Sequence, residues 1–294
     1  MSFEELMGTV QGMSTALAAL AAIGAELSLK STGTCADPRV ESALARVTTA
    51  AGVQDLDSIP PPQQAIALAL IRLLFAQAAD VLAAPERAPG WSYTDPNVLD
   101  GYGRGSMMVP MRLAAAPELA NVTSFLDVGV GVGLLAVSAA NVWPDASVVG
   151  IDVWEPSLER ARTNIDGAGL GGRVTLRDQD LVALDDVDAY DCAWVPTFFL
   201  PEDVLKTGLA RMMRAVRPGG WVVLGVFLPS PDPVAQATNA LNTVRGGGSV
   251  LDEARAAELL EDAGFAEVHP LERTMPMPLG FVLGQRAGAL PTSG

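Results

Sequence analysis

Asp127, Gly129, Gly131 and Gly133 fall at every second position of one stretch, FLDVGVGVGLLAV, residues 125–137. Apolar residues flank it on both sides, so the chain places its most permissive backbone between two segments that favour burial. Glycine admits positive φ and lets a backbone approach a ligand closely, and three alternating glycines exceed what a tight turn requires. A dinucleotide turn has the spacing G-x-G-x-x-G, which sets a helix N-terminus against pyrophosphate. Here the sixth position from Gly129 is Leu134, which argues against a nicotinamide oxidoreductase. Asp127 would also repel a pyrophosphate, whereas it suits a ligand with an ammonium group. Asp152 closes the run VVGID and can accept hydrogen bonds from both hydroxyls of a ribose. The two acids together describe a nucleoside with free ribose hydroxyls and a cationic amino-acid tail.

Positioning these groups requires a sheet. From Thr123 onward, predicted strands at 124–128, 147–152, 173–178, 190–195 and 221–228 alternate with helices at 133–143, 156–168, 202–216 and 251–263. Two last strands follow near 266–271 and 279–285. This is the alternation of an α/β fold with a doubly wound, mostly parallel seven-stranded sheet, whose ligands bind at the carboxyl ends of the strands. Before residue 120 the chain reads as helical: 3–29, then a helix to about Ala51 with Asp37 as cap and Pro38 at N1, then 63–84 after Pro60-Pro61-Pro62. The expected organisation is an N-terminal all-helical domain over 1–87, serving as lid or dimerisation element. A linker that covers the cofactor follows over 88–122, read as irregular to Met111. A ligand-binding domain spans 123–286, and a disordered tail 287–294.

Apolar residues make up 49% of the 294, and 34 acidic residues face 19 basic ones for a net charge of −15. That balance argues against a nucleic-acid substrate, which needs a basic footprint. Residues 8–25 carry no charge, but they are rich in Ala, Gly, Ser and Thr and follow Glu4-Glu5. They read as a buried helix, not as a membrane span or signal peptide. Arg72 and Asp80 are the only charges in the third helix. An apolar circumference of that kind calls for neighbours on several sides, and a second subunit in a homodimer would supply them. Two cysteines, Cys35 and Cys192, are too few for a disulfide framework, and a cytoplasmic location is expected.

Residues 123–286 resemble a class I S-adenosylmethionine-dependent methyltransferase with a Rossmann-like fold. FLDVGVGVG resembles that family's first motif and VVGIDVWEPSLERAR the segment after it. RVTLRDQDL resembles the third motif, YDCAWVPTFFLP occupies the place of the fourth, and MMRAVRPGGWVVL resembles the fifth, with a Pro-Gly-Gly turn. The resemblance implies S-adenosylmethionine (SAM) as cofactor. Asp127 and the backbones of Gly129, Gly131 and Gly133 would hold its methionine part, and Asp152 its ribose. Val153 and Trp154 would pack on the adenine, and Asp180 with Leu181 would contact the adenine edge. The alternative for Asp180 is a helix cap, and for Trp154 a core residue at a helix start.

The residues after the fourth strand, Val195-Pro196-Thr197-Phe198, lack the amide or carboxylate that holds a planar amino group, and they lack acidic metal ligands. No metal is expected, and Asp185-Asp186 reads as a solvated loop. The expected acceptor is a small, largely apolar metabolite, methylated at oxygen ahead of carbon or nitrogen. The alternative is a SAM-binding protein without transferase activity. Trp194, Thr197, Phe198, Phe199, Met107 and Met108 are candidates for the acceptor wall. Tyr102 and Arg104 are candidates for the cofactor carboxylate; Tyr93, Asp100 and Tyr102 could line the acceptor pocket, Asp100 and Tyr102 doubling as catalytic candidates. The sole histidine, His269, lies on a late strand and reads as structural.

Overall fold

A computed structural model describes residues 1–273 and 278–288. The proposed tail, from residue 289 on, lies outside the described residues. The chain divides into two compact units: residues 1–83 with 95–105, and residues 84–94 with 106 onward. The segment 88–122 is therefore not a single linker, because its parts belong to different units.

The first unit is helical: α1 (Phe3–Thr32), α2 (Pro38–Ala50), α3 (Pro61–Ala83) and α4 (Pro96–Ser106). Local chemistry sets the helix ends. Ser2 and Glu5 form a reciprocal capping box at the start of α1, and Gly33 ends it at φ 64°. Asp37 accepts from the Arg39 amide with Pro38 at N1, as the sequence leads one to expect. Leu27, Leu56, Leu68 and Ile71 make the core. A Cβ on Gly24 would lie 2.9 Å from Ile71 Cγ2, and one on Gly101 2.5 Å from Leu73 Cβ. Those two glycines therefore set how closely α1 and α4 approach α3.

The expectation of a buried helix over 8–25 is wrong for its first half. Residues 1–18 are all exposed, and Leu6, Met7, Val10, Met13 and Leu17 are 43 to 57% exposed. On α3, Leu70 and Leu74 are exposed too, since the local helices cover only part of its circumference. By length and composition, α1 and α3 could each cross a membrane.

The second unit carries a seven-stranded sheet in the order β3-β2-β1-β4-β5-β7-β6. The strands are β1 (Ser124–Val128), β2 (Ser147–Asp152), β3 (Val174–Asp178), β4 (Tyr190–Pro196), β5 (Val216–Phe227), β6 (Ala266–Pro270) and β7 (Leu279–Gln285). The first five run parallel, and β7 is antiparallel to both β5 and β6. Its helices are α5 (Met108–Ala114), α6 (Leu134–Val142), α7 (Glu155–Gly167), α8 (Glu202–Ala215), α9 (Pro233–Arg245) and α10 (Glu253–Asp262). Two apolar layers cover the sheet, one around Phe125, Leu135, Trp143 and Trp194, the other around Leu126, Leu205, Leu224 and Leu260.

Three elements depart from expectation. The stretch read as irregular before β1 contains α4 and α5. The expected Pro-Gly-Gly turn is a shift of register inside β5, which pairs with β4 from Val216 onward, on both sides of Gly219. Helix α9 was not expected at all.

Candidate cofactor and acceptor site

The order β2-β1-β4 makes β1 the switch point of the sheet. The loop after β1 alternates in function as it does in sequence. Gly129, Gly131 and Gly133 have φ of 66°, 55° and 77°, while Val130 and Val132 are buried. The valines anchor the loop: the Val130 amide donates to Ile151 O at 3.0 Å, and Asn164 Nδ2 donates to Val132 O at 2.8 Å. Gly133 has a second reason to be glycine, because a Cβ there would sit 3.0 Å from Ala161 Cβ on α7. Nothing lies closer than 3.8 Å to a Cβ on Gly131, so this backbone faces open space.

Asp152 binds this loop to the end of β2. Its Oδ2 accepts the Gly131 amide at 2.8 Å, and its Oδ1 accepts the Trp154 amide at 2.9 Å. Burial raises its pKa, and these backbone donors oppose the rise. Asp127 is 1% exposed, and its Oδ2 has no hydrogen-bond partner. Burial, then the charge of Asp152, push its pKa well above the usual carboxylate range. An unpartnered buried carboxylate oxygen carries a cost unless a donor arrives. An ammonium group would supply that donor, and the free lone pairs of Asp152 suit ribose hydroxyls. The residues present therefore fit SAM.

Val153 is exposed and available to a flat ring. Trp154 precedes α7, and its indole N–H donates to Tyr93 O at 3.0 Å. Asp180 caps the short 3-10 turn Leu181–Ala183 by accepting the Val182 amide at 3.0 Å, the cap reading of this residue. The Leu181 side chain is buried; a Cβ on Gly208 of α8 would lie 2.4 Å from its Cδ2. Only its backbone is left for a ligand.

On the acceptor side, Trp194 must be corrected. It is 3% exposed, packs edge-on to Phe281 with centroids 5.5 Å apart, and fills the space beside Gly225. It is a core residue. Thr197 is buried as well, and its hydroxyl donates to Gly225 O at 2.7 Å. Met107 and Met108 are half-buried, and the Met107 carbonyl accepts from Ser138 Oγ at 2.7 Å. A cavity of about 300 Å³ lies instead past the carboxyl ends of β4 and β5, lined by Thr197, Phe198, Phe227, Asn239, Thr243 and Leu251 among others. Neither methionine lines it. The sequence reading missed α9, which supplies Asn239 and Thr243. Its signal was present: Asp232-Pro233 repeats the Asp37-Pro38 start, and the Asp232 carboxylate caps Val234 and Ala235.

The other candidates lie on other elements. Tyr102, Asp100 and Arg104 lie on α4 of the helical unit, where Gln77 Nε2 donates to the Tyr102 hydroxyl at 2.7 Å. His269 lies on the edge strand β6, beside Glu118 at 3.3 Å and the Trp221 ring. Among the described residues, no group of three or more potential metal ligands occurs.

Comparison with known proteins agrees with this geometry. Residues 125–220 match the methyltransferase domain family. A 3-hydroxy-5-methyl-1-naphthoate 3-O-methyltransferase from Streptomyces sahachiroi is 27% identical over 64% of this chain and 56% of its own length. A U6 snRNA (guanine-N2)-methyltransferase from Mus musculus is 32% identical over 38% of this chain and 22% of its own. The chain thus spans little more than half of one curated relative and under a quarter of the other. The structure of human N-acetylserotonin methyltransferase in complex with SAM superposes with a TM-score of 0.69 at 12% identity, covering 98% of this chain and 100% of that one. Residues 125–220 match the methyltransferase domain, and the chain has the fold of the SAM-dependent methyltransferases.

Proposed function

We propose that this protein transfers a methyl group from SAM to an oxygen of a small, largely apolar metabolite. The observation that carries the reading is the pairing of the Asp127–Asp152 cradle with a cavity of about 300 Å³ at the carboxyl ends of β4 and β5, the lower end of the range for small-molecule pockets. The naphthoate relative and the whole-chain likeness to N-acetylserotonin methyltransferase support a small-molecule acceptor. The RNA relative shares only a short stretch, and a net charge of −15 does not favour a nucleic acid.

When bound, SAM supplies an activated methyl group. Asp127 would take its ammonium and Asp152 its ribose, while the loop backbone at Gly129–Gly133 lets the methionine part approach. Phe198 and Phe227, 4.7 Å apart between centroids, would orient a flat acceptor and exclude water. Alignment and desolvation then supply much of the acceleration. Of the titratable groups lining the cavity, Asp252 caps α10 and Arg255 is paired with Glu202 and Glu258. A hydroxyl acidic enough to ionise with little help, such as a phenol or enol, suits these walls. SAM turnover with a panel of hydroxyarenes tests this. Methylated product with S-adenosylhomocysteine (SAH) release supports it. SAH binding without turnover of any panel member favours the second reading, a SAM-binding protein without transferase activity, which the Phe198-Phe199 pair in place of a base keeps open.

The same reading makes the protein a cytoplasmic homodimer; the free thiols Cys35 and Cys192 suit a reducing compartment. Leu6, Val10, Met13 and Leu17 recur at spacings of three and four residues along the exposed half of α1, a stripe that a two-fold copy of the same helix would cover. Light scattering at micromolar concentration should give about twice 30.5 kDa; a mass near 30.5 kDa rules the dimer out.

A further inference from the structure

Residues 84–94 belong to the α/β unit although α3 precedes them and α4 follows them in the chain. They contain no helix or strand, and none of them is buried. Their contacts are nevertheless specific. At one end, Arg245 Nη2 donates to Ala84 O and the Gly90 amide donates to Arg245 O, both at 3.1 Å. Gly247 lies so close to Gly90 that a Cβ would be 3.0 Å from its Cα. At the other end, the Trp154 indole holds Tyr93 O. In between, the Trp91 ring packs edge-on to Phe199 with centroids 4.9 Å apart and to Tyr93 at 5.3 Å. Arg87 ties the segment to itself. Its guanidinium donates to Gly90 O at 3.1 Å, Ser92 Oγ at 3.2 Å and the Tyr93 hydroxyl at 2.8 Å, and it lies 4.7 Å above the Tyr93 ring.

Topology fixes where this segment runs. Trp154 follows β2 and Phe199 follows β4, and β1 lies between those strands. A segment that touches both spans the carboxyl end of β1, over the glycine loop. Phe199 in turn packs on Phe198, centroids 4.7 Å apart, and Phe198 lines the acceptor cavity. One chain of contacts therefore runs from Asp152 through the Trp154 amide and indole to Tyr93, then through Trp91 to Phe199 and the cavity wall.

We propose that residues 84–94 are a strap that cofactor binding at Asp152 and Val153 holds closed over the acceptor wall, with Trp154 as the link and Arg87 as the positioning residue that keeps the strap in shape. The proposal rests on the SAM reading of the Asp127–Asp152 cradle. A ligand that engages Asp152 and packs beside Val153 bears directly on Trp154, whose N–H is the strap's tie on that side. An exposed segment without regular structure opens readily by itself, so a modest bias at one tie shifts its population. Holding the strap keeps Trp91 against Phe199 and so steadies Phe198 in the cavity wall once the cofactor is in. This would impose an order of binding, cofactor before acceptor.

Hydrogen exchange with SAH as probe tests it. In the unaltered protein, SAH should slow exchange of the amides in residues 86–94 at least five-fold, along with those of the Gly129–Gly133 loop. In Arg87→Ala, titration calorimetry should still detect SAH, and the loop should still be protected, but the SAH-dependent increment in the strap should vanish. Trp154→Phe keeps an aromatic ring and removes the N–H donor; it should lose the same increment. A residue that merely supported the fold would change exchange equally with and without SAH. SAH binding that protects the loop and leaves the strap unchanged in the unaltered protein overturns the strap alone. So does an increment that persists in both variants. No SAH binding at all overturns the cofactor reading together with it.

Discussion

The two ends of β1 treat their carboxylates in opposite ways. At its amino end Asp191 is fully satisfied: Oδ2 accepts from the Thr123 amide, the Thr123 hydroxyl and the Ser124 amide at 2.7 to 3.0 Å, and Oδ1 accepts from Arg217 at 2.8 Å. Burial raises its pKa, but these donors outweigh burial and hold it below the usual carboxylate range. At the carboxyl end Asp127 keeps an unpartnered oxygen, and both Asp127 and Asp152 are shifted upward. One acid staples β1 to β4 and β5. The other two are held in readiness at a cost in stability. A satisfied half-buried acid marks structure, and a buried unsatisfied one beside an open backbone marks a ligand.

Substitutions on the two sides should break or sharpen this contrast. The largest effect is expected for Gly131→Val. A branched residue at φ 55° is strained by about 1–3 kcal/mol, and its side chain would stand in the open space facing the ligand. Circular dichroism should remain near normal while calorimetry detects no SAM or SAH binding. Asp152→Ala should weaken SAM binding by about 1.5–3 kcal/mol, the range for hydrogen bonds to a charged group; unchanged affinity in a folded variant would remove its ribose role. Asp191→Ala should do the reverse. It should lower unfolding stability by about 1–3 kcal/mol by leaving the buried Ser124 amide without its acceptor and removing the bonds from Thr123 and Arg217, with cofactor affinity unchanged.

Asp127→Asn probes the cost of readiness. Because its folded pKa is raised, the folded protein holds a proton that the unfolded chain releases near pH 4, so stability falls as pH rises from there through the folded value. The variant should lack that contribution and be more stable to unfolding than the unaltered protein at pH 8, by about 1–2 kcal/mol, while binding SAM more weakly. A lower stability at pH 8 would mean that Asp127 has a partner in the folded protein. The smallest expected effect is none: turnover should survive EDTA, and loss restored by magnesium would revive a metal-dependent mechanism.

Much of this was legible from sequence, and the gaps have physical causes. Strand limits in the α/β region were read to within one residue except at β5, which starts at Val216, five residues before the expected 221; the close matches arise because strands are apolar runs between clear helix starts. The ligand end of β1 was legible because glycine spacing and two acids carry specific chemistry. Helices α4 and α5 were read as irregular because GYGRGSMM has low helix propensity; α4 forms nonetheless, with Gly101 against Leu73. Trp194 was misplaced for another reason. β4 is buried on both faces, so its hydrophobicity does not say which way a residue points. Pairing resolves it: Trp194 shares a face with Cys192 in the layer that includes Phe281. A covering segment is expected over 88–122, but the ties that hold residues 84–94 were not legible, because those to Arg245, Trp154 and Phe199 join residues distant in sequence.

Trp194 and Gly225 carry a consequence for how this protein can vary. A Cβ at position 225 would come 2.2 Å from Trp194 Cη2, and the Gly225 carbonyl also receives the Thr197 hydroxyl. The indole and the missing side chain are two halves of one shape on neighbouring strands. A descendant that places even a methyl group at 225 must shrink residue 194 in the same step or nearly so, and residue 197, at the edge of the acceptor cavity, would feel the repacking. Sequence change near the cavity is therefore channelled along paired substitutions, and new acceptor shapes are reached more easily from α9, whose exposed Gln236 and half-buried Asn239 carry no such tie to the sheet.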